Sequence, residues 1–143
     1  MIDNNLKHIR EELELTQTEL GNILGVHNST VRGWENAYDT MPLSRLVMFS
    51  NKFNYSIDYI LGLSKVNTTY DSDIVLNKID IGIKLKKLRK SLGLSQQEIA
   101  DKCSISRGCY SHYEIGISLI TTLSLYTLCK TYKLSIDEFL RSK

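Results

Sequence analysis

The chain contains the segment LTQTELGNILGV at residues 15–26 and, 79 residues later, the segment LSQQEIADKCSI at residues 94–105. Each segment places a hydroxyl residue three positions before a glutamate. This spacing is typical of a capping box, in which the two side chains bind free backbone amides at the start of a helix. The sequence therefore predicts that a helix begins at equivalent places in the two segments.

The similarity extends well beyond these segments. Residues 6–61 align with residues 85–140 without a gap and are identical at thirteen positions. Such a long period indicates two complete small domains, because solenoid repeats run about 20–50 residues and need at least about three copies. We therefore predict a first domain at residues 1–63, a linker at 64–79 and a second domain at 80–143.

The composition indicates a globular protein, with 42% hydrophobic and 24% charged residues. No apolar run approaches the roughly 18 residues that a membrane-spanning helix needs. The N-terminus also lacks the basic and apolar regions of a signal peptide. We therefore expect a cytoplasmic protein that has no membrane partner.

The sequence offers no metal or catalytic site. The spacing of Cys109 and His112 would allow both to bind one metal ion, but no CxxC motif or second histidine completes a set of four ligands. At Cys103 and Cys129 the repeat predicts core positions, where a reduced cysteine acts as a small hydrophobic residue. We expect no metal, no cofactor and no enzymatic activity, because no nucleophile or carboxylate stands at an interpretable spacing from any histidine: His8, His27 or His112.

The spacing of apolar residues predicts the first helix of each repeat, and a residue suited to end a helix predicts where the second stops. Leucines and isoleucines recur at helical spacing from Leu6 and from Leu85, which predicts a first helix of about twelve residues in each copy. The second helix should end near Gly25, because glycine accepts the left-handed conformation that terminates helices. Ser104 occupies the equivalent position, where a side chain costs about 1 kcal/mol. We expect a slightly different turn or a less stable second unit.

A third helix should follow after only three residues, over about 28–36 and 107–115, with Trp34, Tyr110 and Tyr113 in the core. Two short helices joined by a tight turn form a helix-turn-helix. Apolar spacing predicts a fourth helix, and in the first copy Pro42 can start it. A fifth helix begins after a serine cap, Ser56 or Ser135. No strand-like alternation appears, so each repeat is predicted to be all-α.

The region between the repeats is polar over residues 64–73. Ile74, Val75, Leu76 and Ile79 then either extend the next helix backward or pack between the domains, and the sequence does not choose. As a flexible chain, an eighteen-residue connection would reach about 21–25 Å.

These residues resemble the Cro and lambda-repressor-like helix-turn-helix domains, also called the xenobiotic-response-element family. The resemblance rests on LTQTELG at 15–21, Gly25-Val26, Trp34-Glu35-Asn36 and SIDYIL at 56–61. It recurs in LSQQEIA at 94–100, Tyr113-Glu114 and SIDEFL at 135–140. It implies an all-α chain of two tandem five-helix lambda-repressor-like helix-turn-helix domains. In such a domain the second helix crosses the DNA backbone and the third enters the major groove.

The resemblance also implies roles for single residues. An ion pair that ties helix one to helix three matches Arg10 with Glu35 and Arg89 with Glu114. In the family, a glutamine at the start of helix two binds the DNA backbone or supports an adjacent contact to a base. Gln17 and Gln96 match this glutamine. The base-reading stretch matches His27, Asn28, Ser29, Arg32 and Gly33 in the first unit, and Ser106, Arg107, Gly108, Ser111 and His112 in the second.

Side-chain chemistry supports this assignment independently. Asparagine can pair with adenine through two hydrogen bonds, and arginine with guanine, so Asn28, Arg32 and Arg107 suit base recognition. Charge differs between the halves: residues 1–67 hold six Lys and Arg against eight Asp and Glu, and residues 68–143 hold twelve against eight. The second half is therefore the better binder of polyanions.

The sequence thus predicts a regulator of transcription, most plausibly a repressor, that binds double-stranded DNA through helix three of each repeat. A homodimer through helix five or residues 74–80 is also permitted. The alternative is an interaction protein, of antirepressor, antitoxin or phage-inhibitor type. In that case one repeat binds DNA and the other mediates dimerisation or docks a protein partner. The charge difference and the glycines at positions 33 and 108 motivate this alternative.

Overall fold

In a computed structural model of the chain, residues 2–142 are described and contain ten helices and no strand. These residues divide into two compact units, unit 1 up to Ile74 and unit 2 from Val75. The all-α prediction with five helices per repeat is confirmed. Unit 1 contains α1 (Leu6–Glu12), α2 (Gln17–Leu24), α3 (Asn28–Glu35), α4 (Leu43–Phe53) and α5 (Ile57–Ile60). Unit 2 contains α6 (Lys78–Ser91), α7 (Gln96–Lys102), α8 (Arg107–Glu114), α9 (Thr122–Tyr132) and α10 (Ile136–Arg141).

Each unit is built around its own apolar core at equivalent positions. The aromatic residues predicted to be in the core are buried, with Trp34 at 3%, Tyr110 at 0% and Tyr113 at 5% exposure. Cys129 is also buried, as predicted, whereas Cys103 is only half-buried. Side chains that are almost fully buried include Leu6, Ile9, Leu20, Val31 and Leu46 in unit 1, and Leu85, Ile99, Leu125, Leu128 and Ile136 in unit 2.

The two units share their unusual backbone conformations as well as their cores. Left-handed residues with positive φ stand at four equivalent pairs of positions, although only some of them are glycine. Each one ends a helix or reverses the chain in a turn, so the repeat extends to the loops. The pairs are Glu14 with Gly93, Gly25 with Ser104, Ala37 with Gly116, and Asn54 with Lys133.

The turn after the second helix is almost the same in the two units. Ser104 has a φ of 57° where Gly25 has 73°. In each turn the next amide donates to a carbonyl five residues back, from Val26 to Gly21 at 2.8 Å and from Ile105 to Ala100 at 3.1 Å. The predicted difference is limited to the end of α7, which stops one residue earlier than the alignment with α2 implies.

The prediction of a first helix of about twelve residues is wrong for unit 1. In unit 1, α1 has 7 residues, because the chain before it is held by contacts with the rest of the unit. There Ile2 is buried, Asn4 Nδ2 donates to the Trp34 carbonyl at 2.9 Å, and Asn5 Nδ2 donates to the Tyr59 carbonyl at 2.7 Å. These contacts replace a further turn of helix.

In unit 2 the first helix is longer, with 14 residues. Asn77 caps it, because its Oδ1 accepts from the amides of Ile79 and Asp80 at 2.9 and 3.1 Å. Gly82 then lies against the end of α8, and a Cβ there would come within 2.4 Å of the Glu114 carbonyl oxygen. The choice that the sequence left open is resolved: the helix extends back to Lys78, whereas Ile74 is buried in unit 1.

No helix among residues 2–142 is both long enough and apolar enough to cross a membrane.

We predict that Ser104→Gly raises the free energy of unfolding of unit 2 by about 0.5–1 kcal/mol, because glycine removes the left-handed strain. The greater conformational entropy of glycine in the unfolded chain offsets part of this gain. Urea denaturation followed by circular dichroism measures this change. The reverse substitution, Gly25→Ser, should lower the stability of unit 1 by a similar amount, since no atom lies within 4 Å of the added Cβ. Fluorescence of Trp34, the single tryptophan, reports unit 1 separately. A less stable Ser104→Gly protein would contradict the assignment of strain.

Candidate nucleic-acid interface

The helix-turn-helix of each unit is held together by a close approach of backbone. In unit 1, a Cβ on Gly21 would lie 2.6 Å from the Val26 carbonyl oxygen, so α2 and the turn meet where only a very small residue fits. The equivalent residue in unit 2 is Ala100, which is completely buried. The short side chains therefore fix the angle between the second and third helices.

The predicted capping boxes are present in both units. Thr16 Oγ1 accepts from the Glu19 amide at 3.0 Å, and a Glu19 carboxylate oxygen accepts from the Thr16 amide at 2.9 Å. Ser95 and Glu98 repeat both bonds at 3.1 and 3.0 Å. These backbone bonds lower the pKa of both glutamates, so each helix start carries a fixed negative charge.

A buried ion pair ties the first helix of each unit to the third. In unit 1, Arg10 donates to both carboxylate oxygens of Glu35 and, at 2.8 Å, to the Leu15 carbonyl. In unit 2, Arg89 donates to Glu114 at 2.7 and 3.2 Å, and at 3.0 Å to the Leu94 carbonyl. The glutamate side chains are only 1% and 3% exposed. The ion pairs predicted from the resemblance are confirmed.

The glutamines predicted to contact DNA belong to the same network. Gln17 Nε2 donates to Glu35 Oε1 at 3.1 Å, and Gln96 Nε2 donates to Glu114 Oε1 at 3.2 Å. Each amide retains its oxygen and a second N–H for other partners. The network thus holds the first residue of α2 or α7 in one orientation relative to the third helix.

The network also determines the ionisation of its carboxylate in unit 2. Burial acts to raise the pKa of Glu114, but hydrogen bonds from Arg89, Tyr110 and Gln96 favour the charged form and lower the pKa below its ordinary value. In the opposite sense, the bond to Glu114 raises the pKa of Arg89. Both groups are therefore charged at neutral pH.

Two of the predicted base-reading residues start the third helix of their unit. His27 Nδ1 accepts from the Ser29 amide at 3.1 Å, and Ser106 Oγ accepts from the Cys109 amide at 3.1 Å. Each cap uses an acceptor and leaves a donor available, Nε2–H of a neutral His27 ring and O–H of Ser106. Sequence reasoning did not identify this capping role.

The next position differs between the units. In unit 1, Asn28 Nδ2 donates to Thr18 Oγ1 at 3.1 Å, which joins the starts of α2 and α3. In unit 2, Gln97 stands in place of Thr18 and instead donates to Asp101 at 2.8 Å, while Arg107 stands in place of Asn28. The aligned sequences contain both substitutions, but only the geometry shows that Thr18 orients Asn28.

The remaining predicted residues lie along the same surfaces. Ser29, Arg32, Arg107 and His112 are exposed, and Ser111 is half-exposed. Within residues 2–142, the guanidinium groups of Arg32 and Arg107 form no hydrogen bond or ion pair, so both are available to an external acceptor. The structure therefore places all ten predicted side chains on or beside the second and third helices of their units, and their contact with DNA stays a prediction.

The basic residues of α6 add positive charge to unit 2, but two of them bind within the unit. Lys84 Nζ donates to the Leu140 carbonyl at 2.9 Å, and Arg89 binds Glu114. Lys86, Lys87 and Lys90 are exposed.

In the part of the chain that the structure describes, no group of three or more His, Cys, Asp or Glu residues could hold a metal ion.

The sequence profile of the helix-turn-helix family matches the chain twice, at residues 6–60 and 85–139. The chain belongs to the helix-turn-helix family. The first match spans α1 to α5, the second runs from the middle of α6 into α10, and together they include every residue of the Arg10 and Arg89 networks.

Several bacterial members of the helix-turn-helix family are similar to this chain. The uncharacterized HTH-type transcriptional regulator YobD of Bacillus subtilis is 33% identical over 64 residues, which are 45% of this chain and 57% of that protein. The HTH-type transcriptional regulator ImmR of Bacillus subtilis is 31% identical over 77 residues, or 54% and 60% of the two chains. The antitoxin PezA of Streptococcus pneumoniae is 32% identical over 82 residues, or 57% and 51%. The match thus spans about half to three fifths of each relative.

We predict an acid-induced loss of stability in unit 2 that depends on Glu114. Because its pKa is lower in the folded protein than its ordinary value of 4.5, the carboxylate stabilises the fold above that pH, and this contribution is lost as the pH falls through the folded pKa. Urea denaturation between about pH 7 and pH 3 measures the effect. Glu114→Gln should be less stable at pH 7, because Arg89 loses its charged partner, and should lose less stability on acidification. Glu138→Gln, at an exposed residue of α10, is the matched control; an acid response equal to that of Glu114→Gln would contradict the prediction.

Proposed function

We propose that the chain is a sequence-specific regulator of transcription that binds double-stranded DNA with the third helix of each unit. The observation that carries this proposal is a network that occurs once in each unit. It consists of Arg10, Glu35 and Gln17 in unit 1 and of Arg89, Glu114 and Gln96 in unit 2. The network fixes the third helix of each unit in the same way, and it leaves the outward side chains of that helix available to bind DNA. Its relatives YobD and ImmR, both named as transcriptional regulators, support the same function.

The chemistry of each surface suggests how the work is divided. Gln17 and Gln96 retain an N–H that can donate to a phosphate oxygen, and such contacts position a protein on the duplex without reading sequence. Arg32 and Arg107 can each donate two hydrogen bonds to the O6 and N7 atoms of guanine. Asn28, oriented by Thr18, can pair with adenine through its oxygen and its second N–H.

The two units should not read the same bases. Where unit 1 has His27, Asn28 and Arg32, unit 2 has Ser106, Arg107 and Ser111. Each good bidentate pair discriminates by about 1–3 kcal/mol, so these differences outweigh the shared framework in setting preference. The proposed binding site is accordingly asymmetric and not a perfect palindrome.

A second candidate function follows from the antitoxin relative and from the charge difference between the halves. In this reading unit 2, with the exposed lysines of α6, binds DNA, and unit 1 docks a protein partner or a second copy of the chain. PezA is named as an antitoxin, which supports a protein partner. In either reading we propose a repressor type of action in the cytoplasm, without enzymatic activity.

Binding-site selection from a random DNA pool tests the proposal, because the length and symmetry of the selected site report how many units bind. We expect a site with two different half-sites. Arg32→Ala and Arg107→Ala should each weaken binding about 5- to 150-fold and relax the preference at one base position, which mobility shift measures.

Lys52→Ala and Lys130→Ala are the matched controls, because each removes one positive charge from an exposed position on the fourth helix of its unit. Neither should change base preference. Loss of binding from Arg107→Ala alone would favour the docking function for unit 1. A protein that binds no duplex at low ionic strength would contradict both functions.

A further inference from the structure

The segment that follows α5 is fixed to unit 1 at several points along its length. Its last residue, Ile74, is 4% exposed. Asn51 on α4 binds the backbone of Ile74 twice: its Nδ2 donates to the carbonyl at 2.9 Å and its Oδ1 accepts from the amide at 2.8 Å. One side-chain amide thus satisfies both polar groups of a buried residue, as a neighbouring β-strand would.

Three further hydrogen bonds fix the middle of the segment. Asn67 Oδ1 accepts from the Ser56 amide at 2.7 Å, and Asn67 Nδ2 donates to the Asn54 carbonyl at 3.2 Å. The Tyr70 amide donates to Asn54 Oδ1 at 3.2 Å. Residues 64–74, here called the strap, therefore cross the end of α4 and the start of α5.

The strap leaves a very short connection to unit 2. Asn77 caps α6, so only Val75 and Leu76 separate the strap from a residue that belongs to the second fold. Val75 is 81% exposed. Three Cα–Cα steps span at most about 11 Å. Without the Asn51 bonds, the three other hydrogen bonds described above hold the strap to unit 1 as far as Tyr70, and the chain from Tyr70 to Asn77 can span up to about 25 Å. With its strap bound, the chain therefore has a much shorter connection than the eighteen-residue flexible one expected from the sequence.

We propose that the strap sets the distance between the two half-sites that the chain can bind together, and that Asn51 is the positioning residue that fixes it. This inference rests on the proposed function. Adding one base pair between half-sites moves the second by about 3.4 Å and rotates it by about 34–36° around the duplex. A connection of two residues cannot follow both changes, whereas a released strap can.

The role of Asn51 has a signature that simple loss of stability lacks. Asn51→Ala should tolerate half-site spacings that the unaltered protein rejects, because a longer tether allows both units to bind. At the best spacing it should bind about tenfold more weakly, because a longer tether lowers the effective concentration of the second unit. Compared with the unaltered protein, Asn51→Ala should therefore bind more tightly to DNA with the wrong spacing and more weakly to DNA with the best spacing.

The experiment measures binding of the full chain to duplexes in which the selected half-sites are moved apart or together by one and two base pairs. For the unaltered protein we expect affinity at wrong spacings to fall about 100-fold or more, toward that of a single half-site. For Asn51→Ala we expect less than about threefold variation across the series. Binding to one isolated half-site should be the same for both proteins.

Two variants control the experiment. Lys130→Ala changes the residue of unit 2 that aligns with Asn51, and it should keep the narrow spacing preference. Asn51→Asp keeps an acceptor for the Ile74 amide but lacks the donor for its carbonyl, so its spacing tolerance should be intermediate. Thermal unfolding followed by circular dichroism verifies that each variant is folded.

Hydrogen exchange at the Ile74 amide tests the strap without DNA. We expect slow exchange in the unaltered protein and fast exchange in Asn51→Ala. Fast exchange in both, or equal spacing tolerance in both with DNA still bound, would overturn the inference and leave the proposed function intact. Failure to bind any duplex, including single half-sites, would overturn the proposed function and the spacing role together.

Discussion

The structure depends on one buried ion pair that occurs twice. Arg10 and Glu35, like Arg89 and Glu114, connect the first helix to the third, and a glutamine at the start of the second helix completes the set. Removing one partner of such a pair costs about 3–5 kcal/mol, a large part of the stability of a domain of this size. The contact that folds each unit also orients the surface that we propose faces DNA, so in that proposal stability and recognition cannot be changed independently at these residues.

The sequence predicted most of this framework, because the framework relies on local rules. Capping boxes, apolar spacing and the glycine turn each require only a few neighbouring residues, and the repeat tested every interpretation twice. The first helix of unit 1 was mispredicted because Asn4 and Asn5 bind the backbone of Trp34 and Tyr59, which lie 30 and 54 positions further along the chain. The strap was missed for the same reason, since the bonds of Asn51 to Ile74 join residues 23 positions apart. The capping role of His27 was missed because histidine is not a usual cap.

The two units show which features the fold demands and which are free to change. The ion pair and the capping box are the same in both, whereas the outward residues of α3 and α8 differ at every predicted reading position. Positive φ values persist even where glycine has been replaced, as at Ser104 and Ala37. Duplication therefore preserved the scaffold and let the two surfaces diverge, which gives one chain two unlike surfaces on a common scaffold.

In the proposed DNA-binding function, the glutamates of the capping boxes would affect the time that the protein spends on the wrong sequence. Glu19 and Glu98 carry negative charge at the helix ends that a phosphate backbone would approach, and they repel it wherever no base contact compensates. Weak attachment to random DNA shortens each unproductive stop during sliding and hopping along a chromosome. In that function, the residues that start each helix would thereby also speed the search for a target among a great excess of other sequences.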